Sequence, residues 1–319
     1  MTANPIPILT VTLNPALDLS AHVPAMVAGP KLRLDRPLVE PGGGGVNVAR
    51  AIHELGGRVV AWTALGGTAG AQHRALLEAQ GIAVAAFDAP GETRANWAIS
   101  DADGQQFRLQ LPGPDWTDAK GEAALRDIVA RAEGIVVLSG SQPPGLTAQF
   151  PQQLAQALGP QHRLIVDTSG DALGQLVTAP RAGAQPFLLR LDQAESEGLA
   201  GAPLATTQDS AALARALVAR GVAQWVSLAR GAEGSVLAGA EGAWHCRPPE
   251  VAVVSKVGAG DSFTGAFTHA LAQDASLPEA LRAGTAAAAA AVMTQGTALC
   301  RRADVTRLAP DCALRQLGA

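Results

Sequence analysis

Lys256-Val257-Gly258-Ala259-Gly260-Asp261-Ser262-Phe263-Thr264-Gly265-Ala266-Phe267 decides how this chain is read. The β-branched run Val251 to Val254 predicts a strand leading in, and Ser262 to Ala272 predicts a helix leading out. Gly258 and Gly260 lack a Cβ, so the backbone between strand and helix can curl and aim successive N–H groups at one point. The helix adds the positive end of its dipole at that point. An anion belongs there. Asp261 is the exception, a carboxylate beside an anion hole. Two readings stand: it caps the helix, or it accepts a proton from a hydroxyl that attacks a bound phosphate.

A second glycine run lies far upstream, Pro41-Gly42-Gly43-Gly44-Gly45-Val46-Asn47-Val48-Ala49-Arg50. Four consecutive glycines carry a large backbone entropy cost. They feed directly into a helix bearing Val48, Ile52 and Leu55, which a flexible linker would not do. Close approach of a ligand to bare backbone explains them better, and Asn47 offers a donor and an acceptor to a polyol. Neither GxxxxGK[ST] nor a dinucleotide-type GxGxxG followed by its acidic residue is present.

Between these stretches the chain alternates. Strands are predicted at Ile8 to Leu13, Val59 to Leu65, Ala83 to Phe87, Ile135 to Leu138, Leu164 to Val166, Phe187 to Leu189 and Trp225 to Leu228, with helices between most of them. This pattern predicts an α/β fold with a mostly parallel sheet flanked by helices. Polar residues recur just after strands, where such sheets bind ligands, and Asp18 is one candidate, a turn residue otherwise. Two stretches break the alternation. Leu19 to Glu40 holds three prolines, and Lys31 and Arg33 alternate with Leu32 and Leu34. On a strand this puts both cations on one face, either solvated or facing a phosphate. Thr93 to Ile99 and Gln105 to Leu109 read as a hairpin across Asp101-Ala102-Asp103-Gly104. Arg94 opens it, as surface charge or as an anion ligand. Together these segments, about 17–40 and 93–110, predict a small strand lid on a single domain, 1–319.

The 319 residues are nearly half apolar and carry a net charge of −4, so a nucleic-acid or anionic-membrane surface is not expected. Cys246, Cys300 and Cys312 form no CxxC and no even framework, which suits a reducing cytoplasm. The opening residues carry no signal-peptide pattern, and the run Ala286 to Ala291 is too short and weakly apolar to span a bilayer. It predicts a helix of small residues that lets another backbone pack close.

Taken together, GAGDSF and PGGGGVNVARAIHELGG resemble the two signatures of the ribokinase/PfkB family of sugar kinases. Within it, Thr12-Leu13-Asn14-Pro15-Ala16-Leu17-Asp18, LSGSQPPG from Leu138 and VDTSGDAL from Val166 are similar to the hexose-phosphate branch. Glu40-Pro41 and Gln295-Gly296-Thr297-Ala298-Leu299-Cys300 are most similar to its minor-type, ATP-dependent 6-phosphofructokinases. The resemblance implies a ribokinase-like fold and phosphorylation of a ketohexose phosphate, with tagatose-6-phosphate kinase and 1-phosphofructokinase activity as alternatives. It implies Asp261 as catalytic base, with Gly258, Ala259 and Gly260 as the anion hole. Asp18, Gly43, Gly44, Gly45 and Asn47 would hold the sugar, and Arg33, Arg94 and Ser141 its phosphate. Lys31 would lie near the transferred group, and Gly231, Ala232, Glu233 and Gly234 would line ATP. Glu195 would act on Mg2+, while Ser255, Val257, Ala291, Thr294 and Gly296 fall where relatives bind a monovalent cation such as K+. A homodimer paired through the lid strands is implied as well.

The sequence departs from the family on the nucleotide side. Arg190-Leu191-Asp192 replaces Lys-Pro-Asn, which puts a carboxylate, Asp192, beside phosphates. Lys256, Ala229, Arg230 and Gln142 also replace the residues common in relatives. These changes motivate a second class of reading, a sugar-phosphate sensor without ATP use.

Overall fold

The computed structural model describes residues 5–318. Its strands are β1 Ile8–Thr12, β2 Ala16–Val23, β3 Leu38–Gly42, β4 Val60–Leu65, β5 Ala83–Asp88, β6 Arg94–Asp101, β7 Gln106–Gln110, β8 Ile135–Ser139, β9 Arg163–Asp167, β10 Leu188–Leu191, β11 Trp225–Ala229, β12 Ser235–Gly239, β13 Gly242–Arg247 and β14 Ala313–Leu317. Its helices are α1 Gly44–Glu54, α2 Gly67–Ala79, α3 Asp118–Arg131, α4 Phe150–Leu158, α5 Gly170–Thr178, α6 Gln193–Ala200, α7 Thr207–Ala219, α8 Ala259–Ala272, α9 Leu277–Val292 and α10 Arg302–Leu308.

Ten strands form one sheet in the order β14-β13-β12-β11-β10-β9-β8-β1-β4-β5. Pairing is parallel from β5 to β11 and antiparallel from β11 to β14. Side chains alternate between two cores, as a period of two requires. Ile8, Ile135, Val137, Ile165 and Leu188 pack on the side of α1, α8 and α9. Leu9, Val11, Val136, Leu138, Val166 and Leu189 pack on the side of α3, α4 and α7.

Continuing that alternation to the C-terminal ends of the strands puts a polar row on the α1/α8 side. Thr12 lies on β1, Ser139 on β8, Asp167 on β9, Arg190 on β10 and Ser227 on β11, with Ser139 paired to Asp167 and Arg190 to Ser227. The row sits under two glycine-rich helix starts. A Cβ at Gly44 would lie 2.5 Å from Ser139 Oγ, one at Gly45 2.6 Å from Thr12 Oγ1, and one at Gly260 2.8 Å from Arg190 Nη1. Glycine therefore lets both helices descend onto the row. Farther along, a Cβ at Gly265 would meet Ala51 Cβ at 2.8 Å, so α1 and α8 cross at backbone contact. The Ala-rich helix α9 packs closely as expected, with Gly284 against Phe263.

A second sheet of four strands, ordered β3-β2-β6-β7, stands beside the strand ends. β6 and β7 form the predicted hairpin, with Asp101 Oδ1 accepting from the N–H groups of Asp103 and Gln105 in the turn.

Several expectations are corrected. Val251 to Val254 is not a strand: β14 occupies the free edge of β13, so no ladder remains for it. Val253 and Val254 are instead exposed, and the N–H groups of Val254 and Ser255 donate to Val292 O. Helix α8 begins at Ala259 rather than Ser262, because Gly258 adopts φ 74° and turns the chain straight into the helix. Asp18 lies within β2, paired with Glu40 and Asn96, and is not a turn residue. Lys31 and Arg33 lie in an extended segment outside any strand, although both are exposed and Leu32 and Leu34 half-buried as the alternation predicts.

Candidate active site

Helix α8 starts at Gly258 with no side-chain cap, and α1 starts at Gly43, φ 115°, likewise uncapped. Each helix therefore leaves its first N–H groups without intrahelical partners, aimed into the same space. Asp261 is the third residue of α8 and does not cap it. Its Oδ2 accepts instead from Asn47 Nδ2 at 3.0 Å, which joins the two glycine-rich helices across the site.

Burial and the neighbouring Asp167 carboxylate push Asp261 up to about 7, against the bond from Asn47 and the charge of Arg190. A carboxyl held near neutrality can exchange a proton with a neighbouring group at physiological pH. Arg190 Nη1 lies 3.4 Å from both oxygens of Asp167, and Thr264 Oγ1 donates to Asp167 Oδ2 at 3.1 Å. Neither Asp167 nor the closeness of Arg190 to Gly260 was anticipated as part of the site. Their place at the strand ends was the available signal.

Asp18 Oδ1 accepts from Asn96 Nδ2 at 3.0 Å, and burial raises its pKa despite that bond and Arg94. A Cβ at Gly42 would fall 2.0 Å from Asp18 Oδ2, so the first glycine of the run exists to admit this carboxylate. Arg94 donates to the carbonyls of Asn14 and Leu111, both at 3.1 Å, and Asn14 Nδ2 reaches Ser141 Oγ at 3.3 Å. Arg94, Asn14 and Ser141 thus come together. Around them Asn14 Oδ1, Arg94 Nε, Asn96 Oδ1 and Gln142 Nε2 are buried without hydrogen-bond partners, as expected where a polar ligand supplies them. Lys31 and Arg33 make no hydrogen bond or ion pair among the described residues and are not drawn into this cluster.

On the other side, Gly231–Glu233 is one 3-10 turn that ends at Gly234, where a Cβ would strike Cys246 O. Arg230 anchors this turn by donating to Leu204 O at 2.9 Å, to Ala205 O at 3.2 Å and to Ser210 Oγ. His245 Nε2 bonds the carbonyl of Glu233 at 2.6 Å, and Arg247 pairs with its carboxylate. Ala232 lies between, exposed. Asp192 and Glu195 form a capping box at the start of α6, each side chain accepting from the other's backbone N–H. Burial raises the Glu195 pKa, helped by the charges of Asp192 and Asp167 and against the bond from the Asp192 N–H.

Among the described residues no group of three or more His, Cys, Asp or Glu is arranged to hold a metal. One carboxylate at Glu195 suits Mg2+, which keeps several waters and binds mainly to substrate phosphates. The segments bearing Ser255, Val257, Ala291, Thr294 and Gly296 do meet. Ser255 Oγ donates to Gly296 O at 3.0 Å and accepts from Val257 N, while Thr294 Oγ1 lies 2.7 Å from the carbonyls of Ala291 and Ala298.

Residues 13–304 match the model of the pfkB family carbohydrate kinases. The chain belongs to this family. Among its family relatives, it is 37% identical over 304 residues to ATP-dependent 6-phosphofructokinase isozyme 2 of Escherichia coli (strain K12), covering 94% of this chain and 97% of that protein. It is 31% identical over 304 residues to the 1-phosphofructokinase of the same strain, covering 94% and 96%. The crystal structure of phosphofructokinase-2 from Escherichia coli in complex with potassium superposes with a TM-score of 0.88 at 36% identity, over 96% of this chain and 99% of that one. The ribokinase-like architecture expected of this pfkB kinase is therefore the one observed.

Proposed function

We propose that this protein transfers the γ-phosphoryl group of ATP to a hydroxyl of a ketohexose phosphate, converting fructose 6-phosphate to fructose 1,6-bisphosphate. The observation that carries this reading is the meeting of two uncapped glycine helix starts with Asp261 between them, hydrogen-bonded to Asn47. The named relatives, kinases of fructose phosphates, support it.

Asp18 and Asn47 orient the sugar from β2 and α1, with the backbone of Gly43, Gly44 and Gly45 against it. Arg94 and Ser141 meet its phosphate. Asp261 takes the proton as the O–H bond breaks, the new O–P bond forms to the γ-phosphorus, and the bond from that phosphorus to ADP breaks. Amides of Gly258, Ala259 and Gly260 balance the charge spread over the moving phosphoryl group. Gly231 to Gly234 line the nucleotide, and Asp192 holds α6 beside it. Glu195 would help hold Mg2+, which would supply charge neutralisation for the nucleotide phosphates. The Ser255, Val257, Ala291, Thr294 and Gly296 loop is the candidate seat for K+, as the potassium complex of the Escherichia coli protein suggests.

The small sheet acts as a lid in this reading, and its exposed Leu38 and Leu109 favour pairing of two subunits through it. Such pairing also gives Lys31 and Arg33 a role, since each is exposed next to that sheet. A cytoplasmic setting, where ATP and sugar phosphates meet, suits the three free cysteines. The sensor reading, motivated by Arg190-Leu191-Asp192 and Lys256, predicts sugar-phosphate binding without ATP binding or turnover, and the assay below separates it from the kinase reading.

The test is ATP-dependent bisphosphate formation by wild type and Asp261→Asn. A variant with full turnover would remove Asp261 as base. Fructose 6-phosphate, tagatose 6-phosphate and fructose 1-phosphate compared by kcat/KM decide the acceptor.

A further inference from the structure

Asn47 and Arg50 stand three residues apart on one face of α1, and Arg50 Nη1 lies 3.4 Å from Asn47 Oδ1. A guanidinium has donors and no acceptor, so the atom Asn47 turns toward Arg50 must be its oxygen. Its nitrogen then faces Asp261 Oδ2 at 3.0 Å. We propose that Arg50 is a positioning residue: it fixes the orientation of the Asn47 amide so that Asn47 donates to Asp261 and leaves the other carboxylate oxygen to take the substrate's proton. This inference rests on the reading of Asp261 as the base.

Arg50 is itself held from four sides. Nη2 donates to Glu40 Oε1 at 2.8 Å, Nε to Gln80 Oε1 at 3.1 Å, and Nη1 also to Pro41 O at 3.4 Å. The other oxygen of Glu40 accepts from Thr297 Oγ1. The Arg50 and Glu40 side chains are 14% and 18% exposed, so water and salt screen the pair weakly. A path of hydrogen bonds thus runs from the 293–299 loop through Glu40, Arg50 and Asn47 to Asp261.

Flipping the Asn47 amide would place its oxygen against the Asp261 carboxylate. Two acceptors cannot share a hydrogen bond unless Asp261 is protonated, and a protonated Asp261 is no base. Orientation of Asn47 and ionisation of Asp261 are therefore one equilibrium, and Arg50 biases it. The other charged groups facing Asp261 are Asp167 from β9, Arg190 from β10 and Asp18 from β2, and of these Asp18 also feels the charge of Arg50, which lowers its pKa. Around Arg50 stand Glu40, Asp18 and His73, and burial holds His73 down at about 4, neutral through the range of interest.

The experiment is the pH profile of kcat for wild type, Arg50→Met and Arg50→Gln, with melting curves for each. Arg50→Met is expected to move the acid limb to higher pH by about one unit, a loss of roughly tenfold at acidic pH that shrinks to less than about threefold at alkaline pH. Arg50→Gln keeps a donor without the charge and is expected to recover most of that loss. Equal loss at all pH values, or a Gln variant no better than Met, overturns the proposal. If Arg50→Met does not fold, Glu40→Gln, which loosens Arg50 without removing it, is expected to give a smaller shift of the same sign, and an unmoved acid limb overturns the proposal. Asp261→Asn separates the two readings. Full activity there defeats the base, whereas an inactive Asp261→Asn beside an unshifted Arg50→Met defeats only the role of Arg50.

Discussion

Arg190 Nη1 sits 3.4 Å from both carboxylate oxygens of Asp167, on the neighbouring strand and beneath Gly260 of the anion hole. The pair is largely withdrawn from water, with side chains 14% and 13% exposed. On the proposed reading it places a cation under the phosphoryl group and compensates it locally, so the site would receive a polyanion without an unbalanced charge in its resting state.

Removing one partner should therefore be costly. Arg190→Met strands Asp167 beside Asp261 and is expected to destabilise the fold by about 3–5 kcal/mol, with Arg190→Lys milder because the charge is kept but the fork is lost. Denaturant melts check this. ATP binding by calorimetry should weaken in the same order.

Asp261→Asn should lower kcat by roughly two to four orders of magnitude while sugar-phosphate binding persists. The wild-type acid limb should lie near pH 7, where burial and Asp167 hold the carboxyl. The same shift acts on stability. The folded state holds this proton to higher pH than the unfolded chain, so the contribution is full below the unfolded pKa, near 3.8, and lost as pH rises through about 7. Asp261→Asn should consequently melt higher than wild type at pH 8 and about equally at pH 4. A gain on the order of 2 kcal/mol at pH 8 allows for partial solvent access.

Gly42→Ala tests how Asp18 is seated. The new Cβ would lie 2.0 Å from Asp18 Oδ2, so the carboxylate must leave its place beside Asn96. KM for the sugar phosphate should rise by about tenfold or more, with KM for ATP little changed. Steady-state kinetics with each substrate varied distinguishes the two.

Gly265→Ala tests the crossing of α1 and α8. A Cβ there meets Ala51 Cβ at 2.8 Å and Val48 O at 3.1 Å, so the two helices must move apart to admit it. The expected cost is about 1–3 kcal/mol. Because the crossing also sets the Asn47–Asp261 bond, kcat should fall although the substitution lies a turn away from the chemistry.

The sequence by itself determined the mostly parallel sheet, the two glycine-rich helix starts and the family. These are local properties: a short continuous apolar, β-branched run in Ile135 to Leu138, glycines before an apolar helix, and motif residues at fixed spacing. Local strand propensity could not report which edge of β13 was free. The β-branched run Val251 to Val254 reads as a strand and β14 is not foreseen, because edge occupancy depends on where residues 313–317 return. Only the tertiary structure decided which charges face one another. Arg190 and Asp167 are 23 residues apart, and Asn47 and Asp261 are 214 apart. Whether such groups meet is fixed by strand order and helix crossing, and so the raised pKa of Asp261 and the path from Thr297 through Glu40 and Arg50 are properties of the folded chain.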